Sequence, residues 1–179
     1  MNTSGDQIII RDSRPDDVSD IQRIYAHHVQ TGTASFEEVA PDVDTIAQRR
    51  QDVLDAGAPY ILAQLNGVVH GYAYATGFRP RSAYRYTAED SIYVDPQATG
   101  MGIGSQLLGA LIERCTELGF RQMVAVIGGA QNIASINLHK RHGFDQVGHL
   151  KSTGFKFSAW VDTVIMQRAL GPGDETLPD

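Results

Sequence analysis

An acid, a short apolar strand and a glycine-rich turn follow one another as Glu89-Asp90-Ser91-Ile92-Tyr93-Val94-Asp95-Pro96 and then Gly100-Met101-Gly102-Ile103-Gly104-Ser105. A carboxylate at the mouth of a strand can take a proton from a small nucleophile. Glycines let backbone N–H groups converge, and the open first turn of the next helix favours phosphate oxygens. The order therefore points to an enzyme that holds a phosphorylated cofactor while deprotonating something small. Each part also has a plainer reading. Glu89 can be a solvated strand-end carboxylate, and the glycines can make a tight strand-to-helix turn and nothing more.

The better-known glycine motifs do not fit. A dinucleotide fingerprint needs glycine where Ser105 stands and an acid at the end of the next strand, yet Met123 to Ile127 holds none. A phosphate-binding P-loop needs Gly-Lys-Ser/Thr, which is absent. No Gly-x-Ser-x-Gly nucleophile elbow occurs. The pairs His27-His28 and His139/His142 lack a third ligand at usual spacing, so no metal is expected. Cys115, the one cysteine, falls on the apolar face of a helix and reads as core.

The elements that must position these residues alternate, which favours a mixed α/β sheet. Strands are expected at Ile8–Arg11, Tyr60–Leu65, Val68–Thr76, Ser91–Val94, Met123–Ile127, Phe144–Leu150 and Val161–Leu170. Asn66-Gly67 joins the second and third as a hairpin. Helices are expected from Pro15 to Val29, Val43 to Asp55, Gly102 to Leu118 and Ala134 to His142. The third is the clearest, since Ile103, Leu107, Leu108, Leu111, Ile112, Cys115 and Leu118 share a face and Gly119 ends it. A flexible start (1–7), one domain (8–170) and a disordered tail (171–179) complete the division.

With 179 residues, 42% hydrophobic and 20% charged, the chain has the composition of one globular domain. A net charge of -6 argues against nucleic acid as a partner. No apolar run is long enough to span a bilayer and Met1–Gln7 lacks a signal-peptide core, so no membrane partner and a cytoplasmic setting are expected.

The strand, Asp-Pro, glycine turn and helix together resemble the coenzyme A loop of GCN5-related N-acetyltransferases, the GNAT superfamily. Asn132-Ile133-Ala134-Ser135, leading through His139 to Gly143-Phe144, is similar to that superfamily's second signature. Arg79-Pro80, the Tyr86-to-Val94 run and Gly154-Phe155-Lys156-Phe157 with Trp160 and Asp162 resemble its phosphinothricin and methionine sulfoximine acetyltransferase branch. The resemblance covers Ile8 to Leu170. It departs at Thr99, where the superfamily turn usually carries Arg or Gln, and this puts cofactor affinity in question.

The resemblance implies a central, mostly antiparallel mixed sheet of six or seven strands flanked by about four helices. It also implies acetyl-CoA as co-substrate and a small amino acid or analogue as acceptor, with direct transfer in a ternary complex. Herbicide or antibiotic resistance and a homodimer follow by the same likeness. Glu89 becomes the amine base and His139 the proton donor to the departing thiolate; packing is the competing role for His139. Ile92, Tyr93 and Val94 would meet the pantetheine arm through their backbones. Gly100, Met101, Gly102, Ile103, Gly104 and Ser105 would hold the pyrophosphate, with Asn132 and Ser135 on the arm. Asn132 is in any case a good helix N-cap. Phe36, Arg79, Pro80 and Arg81 with Glu89, Asp90 and Ser91 would form the acceptor wall, arginine forks matching carboxylate or phosphinate oxygens. Two rivals remain open. A peptide N-terminal acetyltransferase would need an open groove, and an acyl-CoA-binding module would have no use for Glu89, His139 or the Arg79 loop.

Overall fold

The computed structural model describes residues 7–178; of the stretch expected to be flexible, 1–6 lies outside them. The chain runs β1 (Ile9–Asp12), α1 (Val18–Thr31), α2 (Val43–Asp55), β2 (Tyr60–Leu65), β3 (Val68–Gly77), β4 (Thr87–Val94), α3 (Ile103–Glu117), β5 (Gln122–Gly128), α4 (Ile133–Arg141), β6 (Asp145–Lys156) and β7 (Ala159–Ala169). Short 3-10 turns at Pro15–Asp17, Ser82–Tyr84 and Pro96–Ala98 link them. The strands form one sheet in the order β1-β2-β3-β4-β5-β7-β6. Every neighbouring pair is antiparallel except β4 with β5. The expected mixed sheet and four helices are therefore present.

Helix pairs cover the two faces. Ile21, Ile24 and Val29 of α1 and Ile46 and Val53 of α2 bury against Tyr60, Leu62 and Tyr72. On the other face α3 lays Ile103, Leu107, Leu108, Leu111 and Cys115 onto Ala63, Ala73, Ala75 and Ala88, and α4 adds Ile136. The small sheet residues let α3 come close: a Cβ on Gly71 would lie 3.1 Å from side-chain atoms of both Ile103 and Leu107. Gly104 and Gly109 each cost a helix about 1 kcal/mol relative to alanine. Burying each large apolar side chain returns roughly 1.5–3 kcal/mol, so packing rather than propensity holds α3.

Three segments differ from expectation. β4 begins at Thr87 instead of Ser91, because Ala88–Asp90 pairs on both sides, with Gly77–Ala75 of β3 and Met123–Ala125 of β5, and Thr87 pairs with Gln122 of β5. Glu89 thus lies within the strand, not at its mouth. β6 continues past Leu150 to Lys156 through an irregularity between Leu150 and Gly154. It turns into β7 through Phe157 and Ser158, both left-handed at φ 52° and 58°. From Gly171, where disorder was expected, the chain makes turns, and Arg121 donates to Thr176 Oγ1 (2.9 Å) and the Gly173 carbonyl (3.3 Å).

Candidate active site

The parallel pairing of β4 with β5 runs from Thr87↔Gln122 to Asp90↔Ala125 and stops. Beyond that point β4 stays on β3 and β5 stays on β7, so the sheet forks. The fork opens a cleft of about 740 Å³, with Ser91 to Val94 on one wall and Ala125 to Gly129 on the other. Ile92, Tyr93 and Val94 therefore offer backbone to the cleft. The Tyr93 ring turns away into the core, edge-on to Tyr25 at 5.0 Å between centroids.

The glycine turn closes one end. Asp95 anchors it: its carboxylate accepts from Gln97 N (3.0 Å) and pairs with Arg23 (2.5 Å). Burial works to raise the Asp95 pKa, but those bonds outweigh it and hold the carboxyl below the usual range. Gly100 and Gly102 take φ of 81° and 80°, which suits glycine and strains other residues. The first bond within α3 joins Gln106 N to the Gly102 carbonyl (3.1 Å). The N–H groups of Ile103, Gly104 and Ser105 are left at the open helix end, where an anion is favoured. Thr99 is extended and its hydroxyl bonds to the Pro96 carbonyl (3.1 Å), so its side chain serves the turn itself. Met101 is exposed at the tip. Ser105 Oγ meets His142 Nε2 at 2.8 Å and ties α3 to α4. Asn132 caps α4 through Ser135 N (3.3 Å), and both residues line the cleft.

Because side chains alternate along a strand, β4 sends its two acids to opposite faces. Glu89 looks toward the α1–α2 side, 3.7 Å from Arg79, with 29% of its side chain exposed. Burial raises its pKa and the nearby Asp90 charge adds to this, while Arg79 opposes. Asp90 looks toward α3 and α4, and its Oδ2 lies 3.0 Å from His139 Nε2. The expected wall of Glu89, Asp90 and Ser91 is thus divided. Ser91 stays on the Glu89 side, paired across the sheet with Tyr74 of β3, and Asp90 does not. His139 is buried (3% exposed) and its Nδ1 donates to the Ser135 carbonyl at 2.8 Å.

Arg79 leaves the end of β3, stacks on Phe78 (4.2 Å to the ring centroid) and donates to the Phe78 carbonyl. Pro80 and Arg81 are exposed in the same loop. Phe36 does not line the cleft. Its ring packs on Gly154 and Gly128, where an added Cβ would fall 2.5 Å and 3.0 Å from ring atoms. Its loop nevertheless contributes Gly32, Thr33 and Ala34 to the cleft wall.

The model of the acetyltransferase (GNAT) family matches residues 21–144. The chain belongs to that family. It is 55% identical over 170 residues to a phosphinothricin N-acetyltransferase of Alcaligenes faecalis, covering 95% of this chain and 86% of the relative. It is 40% identical over 168 residues to an L-methionine sulfoximine/L-methionine sulfone acetyltransferase of Pseudomonas paraeruginosa, covering 91% and 95%. Among solved structures, a GNAT phosphinothricin acetyltransferase from Sinorhizobium meliloti in complex with acetyl-CoA superposes with a TM-score of 0.94 at 48% identity, covering 96% of this chain and 93% of that one.

This GNAT acetyltransferase has the parts acetyl-CoA needs: a strand edge beside a forked sheet, an open helix end and two left-handed glycines. Sequence reasoning missed two contributors. Arg141 at the end of α4 lines the cleft with the glycine turn and brings a positive charge to its phosphate end. His28 donates from Nε2 to the Val94 carbonyl (2.8 Å), bracing the free end of β4. Burial lowers the His28 pKa, the state that a neutral donor to a carbonyl requires. In the sequence His28 reads as part of the first helix and of a histidine pair; among the described residues no group of three or more His, Cys, Asp or Glu side chains is placed to hold a metal.

Proposed function

We propose that this acetyltransferase moves the acetyl group of acetyl-CoA to the α-amine of a small amino acid or analogue of the methionine sulfoximine, methionine sulfone or phosphinothricin type. The observation that carries the reading is the half-buried Glu89 beside Arg79, one residue from the point where the sheet forks. Glu89 takes a proton from the substrate ammonium. The freed amine attacks the thioester carbonyl carbon, the C–N bond forms, the adduct nitrogen gives up its extra proton to water, and collapse of the adduct breaks the C–S bond. A backbone N–H of Ile92 to Val94 steadies the oxyanion, and His139 gives the thiolate its proton. Arg79, with Arg81 exposed in the same loop, holds the acceptor's carboxylate or phosphinate. Cys115 is fully buried with its thiol pushed up to about 12 by burial, which favours direct transfer over an acetyl-enzyme.

The names of the relatives support this acceptor class. By the same reading, such acetylation would confer resistance to phosphinothricin-like compounds. The chain is a homodimer and works in the cytoplasm, where its single buried thiol stays reduced. A thiol-release screen with acetyl-CoA tests the acceptor against amino acids, their sulfoximine and phosphinate analogues, polyamines and short peptides. Release is expected with the amino acid analogues. Activity confined to peptides would overturn the proposal.

A further inference from the structure

Asp90 sits where the sheet forks, as the last residue of β4 paired to β5. Its side chain is 3% exposed, it touches His139 through Oδ2, and its Oδ1 is buried with no hydrogen-bond partner among the described residues. A buried carboxylate with nothing else to balance it is costly unless a cation stands beside it. His139 is placed to be that cation. Its Nδ1 faces the Ser135 carbonyl, which can only accept, so Nδ1 carries a proton. Its Nε2 faces a carboxylate oxygen, which also accepts when ionised. With Asp90 ionised, both ring nitrogens carry protons, and Phe144, edge-on at 5.0 Å, helps fix the ring plane. Asp90, Ser135 and His139 all line the cleft.

We propose that Asp90 is a positioning residue, which holds His139 as an oriented imidazolium in the cleft wall so that the pair carries the proton the departing thiolate takes. This rests on the reading of His139 as proton donor. In the step, the C–S bond breaks with its electron pair left on sulfur, sulfur takes the proton of the cleft-lining Ser135 hydroxyl, and that hydroxyl is restored by the His139 Nδ1 proton 3.4 Å away, while Nε2–H stays on Asp90. A neutral imidazole then remains beside the Asp90 carboxylate, to be reprotonated before the next turnover. An ordinary imidazole, at about 6.5, is some two units more acidic than a thiol at about 8.5. Proton transfer is better matched when the two are closer. Burial lowers the His139 pKa, but the Asp90 bond and charge and the Ser135 carbonyl outweigh it, and the net direction is upward.

The other groups around the ring do not supply this charge. Cys115 of α3 is a neutral thiol near Asp90. His142 of α4 has its pKa lowered by burial and by the charges of Arg168, His139 and Arg141. Arg168 of β7 reaches the His142 carbonyl (2.6 Å) and lies over the Phe144 ring. The cations act against a charged His139, and Asp90 is the anion that faces it.

Two measurements separate this inference from the reading beneath it. Ring nitrogen shifts of labelled histidine follow the charge of His139 in the wild-type enzyme directly, without any variant. His139 is expected to stay doubly protonated to pH values above about 6.5, and Asp90→Asn should lower its midpoint by about one unit or more. A neutral His139 at pH 7 in the wild type would overturn the inference whatever the activity. The second measurement is the pH profile of kcat. Asp90→Asn should move its alkaline limb to lower pH, Asp90→Glu should restore part of the shift, and the acetyl-CoA KM should stay within about twofold. An unmoved limb would show that the Asp90 charge does not reach turnover, and would also overturn it. Unchanged kcat in His139→Phe sinks the proton-donor reading itself, independently of the ring titration.

Discussion

At Glu89 the burial that raises the carboxyl's proton affinity also makes its ionised form unfavourable in the folded chain. The folded pKa is above the unfolded one, so the folded state holds the proton more tightly. Stability attributable to this group is fully present below the unfolded pKa, near 4.3, and is lost as pH rises through the raised value. Two consequences follow for Glu89→Gln. Turnover should fall at least about tenfold with acetyl-CoA binding nearly intact. The variant should melt at the same or a higher temperature than the wild type at pH 7. A lower melting temperature there would mean that Glu89 is a stabilising ion-pair partner of Arg79 and not a strained base. In the sequence Glu89 stands out because an acid, an apolar strand and a glycine turn follow one another. The separation of Glu89 from Asp90 was not drawn from the sequence, because Glu-Asp disfavours a strand and hid the first half of β4. Once Thr87 begins the strand, alternation alone sends the neighbours to opposite faces.

At the scale of elements, the loop between α1 and α2 is held by a residue far away in the chain. Lys156 is 2% exposed, and its Nζ donates to the Gly32 (2.9 Å) and Ser35 (2.7 Å) carbonyls on either side of the cleft-lining Thr33 and Ala34. Tyr25 adds a bond to Ser35 Oγ (2.8 Å), and Phe36 fills the space above Gly154 and Gly128. Lys156→Met keeps the stem and removes the donor, leaving two carbonyls without their cation. The expected cost is about 1–3 kcal/mol, measured as a lower denaturation midpoint. A raised KM for the amine should accompany it, with a smaller change in kcat. Amine KM at the wild-type value in a folded variant would show that the loop position does not matter to the acceptor. Most elements were legible, since hydrophobic spacing marked α1 to α3, Gly143 marked the end of α4, and Asn66-Gly67 marked a hairpin that forms with φ of 51° and 83°. The second half of β6 was not. Its turn is Phe157-Ser158, two residues that pay strain for left-handed angles and give none of the usual Gly, Asn or Asp signal.

At the scale of the whole molecule, the β6–β7 hairpin leaves five large apolar side chains exposed. Phe155, Phe157 and Trp160 are 56%, 56% and 69% exposed, and Val147 and Leu150 on β6 are 57% and 46% exposed. Phe155 and Trp160 meet edge-on at 5.2 Å, so the aromatic pair is ordered and presented together. An exposed apolar patch, where it is large, usually marks an association site. This is the part of the chain on which the proposed homodimer would bury its interface. Sedimentation of the wild type is expected at twice the chain mass. Trp160→Glu places a charge where the partner would desolvate it, and should shift the protein to the single chain mass at micromolar concentration. Because Gly154 on the same hairpin carries Phe36 and Lys156 holds the acceptor loop, loss of the dimer should also raise the amine KM. A wild type that sediments as a monomer would dismiss the dimer. A monomeric Trp160→Glu enzyme with unchanged amine KM would instead separate assembly from acceptor binding, leaving each chain to form its own complete site.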